Sequence, residues 1–241
     1  MTKDIFLSVI IPVFNETTRI YLLNEILSYF SSQKYSFEII IVDDGSTDDT
    51  LEKLKLYQDQ KHLKVISYPK NQGKGYAIKT GMLKADGEFR LFTDVDLSTP
   101  ISEIEKFLPW FNQFDAVIGT RRSKESKVIV HQSKIREFLG QGFTIMSRTI
   151  LNTYVSDFTC GFKCFSAKAA EKIFKNLTIN RWGFDAEVIF LAKKFGFNIK
   201  EIPVIWKNDA ETKVKFPQDL INSFSELIII IINDKIKKIY R

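Results

Sequence analysis

The first half of the chain alternates between short apolar runs and segments with helical spacing of apolar residues. The apolar runs are mostly continuous, which is typical of strands buried on both faces of a sheet. They are Leu7–Ile11, Phe37–Val42, Leu63–Ile66, Phe89–Thr93 and Ala116–Ile118. The helical segments are Ile20–Phe30, Thr47–Tyr57, Gly75–Leu83 and Ile101–Phe111. This alternation predicts an α/β fold with a Rossmann-like, mostly parallel sheet sandwiched by helices.

The second half of the chain has a less regular pattern. We predict helices at Ser133–Leu151, Ala167–Lys175 and Phe184–Phe195, a loop at Asp157–Phe165, a strand at Ile199–Trp206 and a helix at Pro217–Ile232. The sequence contains no repeat and no low-complexity linker. We therefore expect one α/β domain, residues 1–216, followed by a C-terminal amphipathic helix with a basic tail, residues 217–241.

The composition is that of a globular protein. Of the 241 residues, 44% are hydrophobic and 27% are charged, which excludes a disordered or fibrous chain. The net charge of +6 is spread along the chain and suits an acidic small molecule or an anionic membrane surface. Because no basic–aromatic pattern of a nucleic-acid-binding protein occurs, we expect no nucleic acid partner.

The cysteine content gives no indication of a zinc site or a disulfide framework. Cys160 and Cys164 are the only cysteines, and the chain has two histidines. A structural zinc site needs four such ligands close in space. We expect both thiols to be buried and reduced.

Polar clusters follow all five strands of the first half. They are Asn15-Glu16, Asp43-Asp44, Asn71–Gly75, Asp94-Val95-Asp96 and Arg121-Arg122. The carboxyl ends of parallel strands meet at one edge of a sheet, and ligands bind beyond that edge. The sequence therefore predicts a single site at this rim.

Asp94 and Asp96 are the most specific feature of this rim. On an extended segment, side chains two positions apart project the same way, so both carboxylates can face one point. Oxygen anions in such an arrangement suit Mg²⁺ or Mn²⁺ holding a diphosphate. Exposed loop acids are the alternative, which the position directly after a buried strand disfavours.

Two further clusters have both a structural and a functional interpretation. The segment after the second strand, Asp43-Asp44-Gly45-Ser46-Thr47, predicts a turn in which Ser46 or Thr47 caps the next helix, and one carboxylate remains for a base or a ribose. The segment Asn71–Gly75 resembles a phosphate-binding turn at a helix start, although it is not a P-loop.

Arg121 and Arg122, together with Arg136 on a predicted helix, predict a second anion site; the alternative is solvated loop arginines. The less regular half adds the acids Asp157, Asp185 and Glu187. Because the last two are two positions apart on a predicted helix, they point to different faces, and at most one reaches a given ligand.

These clusters, in this order, resemble glycosyltransferase family 2, whose members are inverting enzymes with the GT-A fold. The resemblance runs through residues 8–16, 42–48, 71–81 and 94–98. Three further segments are similar to the branch that glucosylates dolichyl or polyprenyl phosphate: Gly119-Thr120-Arg121, Asp157–Phe165 and Arg181–Glu187.

The resemblance implies roles for particular residues. The uridine would be held by Pro12, Phe14 and Glu16, with Asp43 or Asp44. Lys74 would lie near the nucleotide phosphates, and Asp94 and Asp96 would serve a Mg²⁺ or Mn²⁺ ion and the diphosphate. Arg121 and Arg136 would bind the phosphate of a polyprenyl acceptor, and Asp157 would orient the acceptor or the sugar.

The reaction implied is transfer of glucose from UDP-glucose to a polyprenyl (dolichyl) phosphate. A phosphate monoester has a second pKa of about 6, so it is mostly a dianion at neutral pH and needs no strong general base. The alternatives are another donor such as GDP-mannose or UDP-GlcNAc, another acceptor, or a non-catalytic protein that binds nucleotide sugars or membranes.

The predicted C-terminal helix carries an apolar stripe at Leu220, Phe224, Leu227, Ile228 and Ile231, followed by the cationic segment Lys235–Arg241. This pattern fits a helix at a membrane interface, and equally a core-packing or homodimer helix. We find neither a signal-peptide pattern nor an apolar run of the about twenty residues that cross a bilayer. We therefore expect a cytoplasmic protein, peripheral at the cytoplasmic face of a membrane.

Overall fold

A seven-stranded sheet forms the centre of the protein. The computed structural model describes residues 5–209 and 218–240, apart from the side chains of residues 219 and 220. The sheet has the order β3-β2-β1-β4-β7-β5-β8, and β7 alone runs antiparallel to its neighbours. Its strands are β1 (Leu7–Val13), β2 (Phe37–Asp43), β3 (Leu63–Ser67), β4 (Phe89–Phe92), β5 (Ala116–Thr120), β7 (Lys163–Ser166) and β8 (Ile199–Pro203). A separate parallel ribbon pairs β6 (Lys127–Val130) with β9 (Ile205–Lys207).

Helices cover both faces of this sheet. Along the described chain the α-helices are α1 (Leu23–Ser31), α2 (Thr50–Lys55), α3 (Lys74–Lys84), α4 (Lys134–Leu151), α5 (Ala167–Asn176), α6 (Phe184–Lys194) and α7 (Gln218–Ile231). Successive residues of β1 enter different apolar cores: Ile10 packs with α3, α5 and α6, whereas Val9 and Ile11 pack with α1. Burial on both faces explains why the strands are continuously apolar.

The predicted α/β architecture and the five strands of the first half are confirmed, with strand ends that differ by at most two residues. The predicted helix Ile101–Phe111 is wrong in type, since it forms two short 3₁₀ turns, Ile101–Lys106 and Leu108–Trp110. Pro109 lies in the second turn and lacks the N–H that an α-helix would use.

Three other predictions need correction in their details. The loop predicted at Asp157–Phe165 contains the start of β7, and the strand predicted at Ile199–Trp206 divides into β8 and β9, which belong to different sheets. The sequence pattern also gave no sign of β6, because that strand is mostly exposed.

The predicted capping of α2 by Ser46 or Thr47 is wrong. The helix begins at Thr50, whose backbone N–H donates to Oδ1 of Asp48 at 2.9 Å. Ser46 Oγ instead accepts the backbone N–H of Asn15 at 2.9 Å, and the N–H of Thr47 donates to Asn15 Oδ1 at 2.8 Å. These bonds tie the loops after β1 and β2 together.

The C-terminal helix packs against the core with one face. Leu227 and Ile230 are fully buried, whereas Ile228, which belongs to the predicted stripe, is 58% exposed. The inner face of α7 therefore packs on the core. The predicted helix start at Pro217, the side chain of Leu220 and the tail residue Arg241 lie outside the described residues. Among the helices that the structure describes, none has the length and apolar character needed to cross a membrane.

We expect Gly81→Ala to lower the free energy of unfolding by about 1–3 kcal/mol, the usual cost of overpacking a core. A Cβ at Gly81, on α3, would lie within 3.0 Å of Ile10 Cγ2 on β1. The matched control is Gly142→Ala on α4, where a Cβ would meet nothing within 4 Å. Alanine should stabilise that helix by up to about 1 kcal/mol. Urea denaturation of both variants measures the difference, and equal stabilities would contradict the close packing of α3 on β1.

Candidate active site

A cavity of about 1100 Å³ opens at the rim where the parallel strands end. β7 runs the opposite way, so its amino end lies at the same rim and brings Thr159 and Gly161 into the wall. Nine of the eleven predicted site residues line the cavity: Pro12, Phe14, Glu16, Asp44, Lys74, Asp94, Asp96, Arg121 and Arg136. The remaining two, Asp43 and Asp157, are buried behind its wall.

Asp44 holds the glycine-containing loop before α3. Its Oδ1 accepts the N–H of Gln72 at 2.8 Å, and its Oδ2 accepts the N–H of Gly73 at 2.9 Å. The hydroxyl of Tyr68 and the side-chain amide of Asn71 complete the set at 2.7 and 2.8 Å. A carboxylate with four donors is fully engaged, so the wall that Asp44 forms is rigid.

Asp43 has a similar role for the neighbouring loop. Its Oδ1 accepts the N–H of Ser46 at 3.2 Å, and its Oδ2 accepts the hydroxyl of Ser67 at 2.8 Å. The side chain is 1% exposed. Asp43 therefore supports the rim from behind.

Lys74 is the first residue of α3 and reaches across the cavity to the loop after β4. Its Nζ lies 2.6 Å from Asp94 Oδ1 and 5.5 Å from the centre of the Trp182 ring. Although burial lowers the pKa of Lys74, the charges of Asp94 and Asp185 outweigh it and raise that pKa above the ordinary value. The ammonium is thus a fixed positive charge beside two aspartates.

Asp94 and Asp96 share one side of the cavity. Asp96 Oδ1 accepts the N–H of Ser98 at 2.8 Å, and burial followed by the negative charge of Asp94 raises the pKa of Asp96. Two neighbouring carboxylates that repel each other fit a divalent cation, which prefers such oxygen ligands. Among the described residues, no group of three or more His, Cys, Asp or Glu side chains is placed to hold a metal ion.

Gly161 is packed directly against the carboxylate of Asp94. A Cβ at that position would lie within 3.0 Å of Asp94 Oδ2. Any larger residue would push the Asp94 carboxylate out of place. The loop before β7 therefore fixes the acidic half of the cavity, which we define as Lys74, Asp94, Asp96 and Trp182.

Arg121 follows β5 and is held by Asp157 in a two-pronged ion pair. Nε lies 2.7 Å from Oδ2 and Nη2 lies 2.8 Å from Oδ1, while the indole of Trp206 has its ring centre 5.2 Å from the guanidinium. Burial favours the neutral acid, but the charge and hydrogen bonds of Arg121 outweigh it and hold the pKa of Asp157 well below its ordinary value. Asp157 is fully buried and does not line the cavity, so its carboxylate meets Arg121 behind the wall.

Arg122 and Arg136 join Arg121 to form the basic half of the cavity. Nη2 of Arg122 donates to the carbonyl of Gly140 on α4 at 2.8 Å. The pKa of Arg136 is lowered by burial and then by the positive charge of Arg121. Three guanidinium groups gathered on one side of a cavity suit an anionic ligand.

Two residues of the site were not predicted as site residues. Trp206 lines the cavity but lay within an apparent strand, and Lys163 lay within a predicted loop, so neither gave a signal. Lys163 is fully buried; its ammonium pairs with Asp185, which lines the cavity, and donates to the carbonyl of Cys160 at 2.8 Å. The predicted divergence of Asp185 and Glu187 is confirmed, since only Asp185 lines the cavity. Both cysteines are free and buried, as expected.

Comparison with known proteins gives a consistent result. Residues 8–174 match the model of the family described as glycosyl transferase family 2. The dolichyl-phosphate beta-glucosyltransferase of Saccharomyces cerevisiae is 33% identical, over 95% of this chain and 75% of that protein. The human protein of the same name is 35% identical, over 83% of this chain and 67% of that protein.

The fold also has solved counterparts. Glucosyl-3-phosphoglycerate synthase from Mycobacterium tuberculosis, in complex with Mn²⁺, UDP and glucosyl-3-phosphoglycerate, superposes with a TM-score of 0.61 at 19% identity. The match covers 95% of this chain and 79% of that one. It confirms the expected GT-A fold, and the family match and the curated relatives confirm the resemblance seen in the sequence: the chain belongs to glycosyl transferase family 2.

Proposed function

We propose that the protein transfers glucose, with inversion, from UDP-glucose to a polyprenyl phosphate of the dolichyl type. The division of one cavity into an acidic and a basic half is the observation that carries this proposal. The acidic half suits a nucleotide diphosphate with its cation, and the basic half suits a second anion. A donor with a diphosphate and an acceptor with a phosphate satisfy both, and the curated relatives are named for this transfer.

The donor would lie across β1, β2 and the start of α3. Pro12, Phe14 and Glu16 line that part of the cavity, and Asp44 holds the loop beside it. Glu16 is fixed by Arg19 at 2.7 Å, so its carboxylate offers a preset acceptor for the uridine. Asp94 and Asp96 would hold Mg²⁺ or Mn²⁺, which when bound neutralises negative charge on the leaving diphosphate.

The acceptor phosphate would lie against Arg121, Arg122 and Arg136. One phosphate oxygen forms the new bond to the anomeric carbon as the bond to UDP breaks, and UDP leaves with that bonding pair. A phosphate monoester is largely ionised above a pH of about 6, so no side chain has to remove a proton. The Arg121–Asp157 pair supports this mechanism, because it leaves Asp157 as a positioning residue.

The lipid chain of the acceptor implies contact with a membrane. Ile135, Phe138 and Ile145 form an exposed apolar stripe on α4 and are 68%, 73% and 63% exposed. The same helix lines the basic half of the cavity through Arg136 and Phe143. We propose that this stripe, together with the exposed Ile228 of α7, rests on the membrane surface. A homodimer through the same apolar face is the alternative.

The donor and acceptor are tested with a panel of radiolabelled nucleotide sugars and a short polyprenyl phosphate, with products identified by mass. We expect transfer from UDP-glucose in the presence of Mg²⁺ or Mn²⁺, and little from GDP-mannose or UDP-GlcNAc. A single glucosyl phosphate linkage should account for the product mass. Transfer of another sugar, or UDP release that polyprenyl phosphate does not increase, would reject the proposed pair of substrates.

Asp96→Ala should lower kcat by about 10³-fold or more, because it removes electrostatic stabilisation of the leaving group. Asp157→Asn should retain more activity and mainly raise KM for the acceptor, since it weakens the hold on Arg121. The activity of Asp157→Asn should still rise as the pH passes through about 6, where the acceptor phosphate becomes a dianion. Asp59→Asn, at an exposed surface position, is the control. If the activity of Asp157→Asn no longer rose over this pH range, Asp157 would instead be assigned as a general base.

The membrane contact is tested by flotation with vesicles of phosphatidylcholine and phosphatidylserine. We expect the double variant Phe138→Ser, Ile145→Ser to bind vesicles at least about tenfold more weakly, since it removes large apolar side chains from the interface. Leu56→Ser, which changes an 81% exposed side chain outside α4 and α7, should bind as before. Unchanged flotation of the double variant, with loss of a dimer in sedimentation, would assign the stripe to a homodimer.

A further inference from the structure

The C-terminal segment, residues 232–240, folds back onto the chain that precedes α6. Tyr240 is 5% exposed, and its hydroxyl donates to Glu187 Oε1 at 2.6 Å. Asn233, 4% exposed, donates through Nδ2 to Thr178 Oγ1 at 3.0 Å. Asp234 anchors the turn through Lys194, at 2.6 Å. These buried polar contacts go beyond what packing of α7 requires.

The same contacts organise the loop at residues 178–183, which we call the wall loop. Glu187 is fully buried and accepts the N–H of Thr178 at 3.0 Å, the N–H of Ile179 at 2.7 Å and the hydroxyl of Thr178 at 2.6 Å. Tyr240 therefore adds a fourth donor to a carboxylate that holds the start of the loop. Burial and then the charge of Glu187 raise the pKa of Tyr240, so its hydroxyl stays protonated and keeps donating.

The other end of the wall loop is also held from the C-terminal region. Glu226 on α7 accepts the N–H of Gly183 at 2.7 Å through Oε2. A Cβ at Gly183 would lie within 3.0 Å of that same side chain, so the glycine allows the close approach. Both ends of the loop thus depend on residues near the C-terminus.

The wall loop in turn forms one side of the cavity. Its Asn180 carbonyl accepts the N–H of Tyr76 on α3 at 3.1 Å, and a Cβ at Gly73 would lie within 3.0 Å of that carbonyl oxygen. The loop also places Arg181 and Trp182 in the cavity wall, with the Trp182 ring against the ammonium of Lys74. A shift of the loop would therefore move Trp182 and the start of α3.

We infer that residues 232–240, anchored by Tyr240 on Glu187, are a positioning element of the donor site. By fixing the wall loop, they keep Trp182 and Lys74 in the geometry that receives the diphosphate. No residue of this segment lines the cavity, so Tyr240 acts through the loop and does not touch the donor. The inference rests on the nucleotide-sugar donor proposed above.

The test is Tyr240→Phe, which removes one hydroxyl and keeps the ring. We expect KM for UDP-glucose, and Kd for UDP measured calorimetrically with Mn²⁺, to rise about fivefold, as the loss of one buried hydrogen bond permits. KM for the polyprenyl phosphate should stay unchanged, because the wall loop borders the acidic half of the cavity, where Trp182 lies against Lys74. Amide hydrogen exchange at Thr178 and Ile179 should become faster.

Asn233→Ala removes the second contact and should change the same quantities in the same direction. Tyr154→Phe is the matched control, because that tyrosine is 88% exposed and lies outside the cavity; it should leave every quantity unchanged. A lower melting temperature of Tyr240→Phe and Asn233→Ala, with unchanged donor KM and UDP affinity, would overturn the inference and leave only a structural role.

The two proposals can fail separately. If the unaltered protein neither binds UDP nor uses UDP-glucose, the proposed donor is wrong. Hydrogen exchange still decides the positioning step in that case, because Tyr240→Phe should speed exchange of the Tyr76 amide, which is bonded to Asn180. Unchanged exchange at Tyr76, Thr178 and Ile179 would overturn the inference on its own.

Discussion

Buried carboxylates that accept backbone N–H groups hold this cavity in shape. Asp43, Asp44, Asp157 and Glu187 are each at most 3% exposed, and each accepts at least one backbone N–H of a loop at the rim. Hydrogen bonds to a charged acceptor are about twice as strong as neutral ones. Removing the donors would leave a buried charge without partners, which destabilises the fold. The loops are therefore set before any ligand arrives, which is the condition for electrostatic catalysis.

The charged side chains around the cavity form two regions, and each region suits a different kind of anion. In the acidic half, the carboxylates of Asp94 and Asp96 lie beside the ammonium of Lys74, an arrangement that suits a diphosphate bound together with a cation. In the basic half, Arg121 is paired with Asp157, and Arg122 and Arg136 add two further guanidinium groups to the wall. This asymmetry suits the proposed transfer, which joins a diphosphate donor to a phosphate acceptor.

Much of this arrangement was predictable from the sequence because it follows strand ends. The parallel strands of the first half are mostly continuous apolar runs, and the polar residues directly after them must lie at one edge. β7 was not predictable, since a buried lysine is unusual in a strand. The charge of Lys163 is neutralised by Asp185 on α6, a contact that only the fold creates. The ion pair of Asp157 with Arg121 was not predictable, because it joins loops that only the fold brings together. Similarly, the contact of Tyr240 with Glu187 spans 53 positions and leaves no periodic pattern.

Trp182 and Trp206 stand in opposite halves of the cavity, and each has a cationic side chain over its ring, Lys74 at 5.5 Å and Arg121 at 5.2 Å. The third tryptophan, Trp110, packs under Lys200 and does not line the cavity. A ligand that draws one cation away changes the electric field mainly at the indole beside that cation. Tryptophan fluorescence from variants that keep only Trp182 or only Trp206 would therefore record the order in which the acidic and basic halves of the cavity bind their ligands.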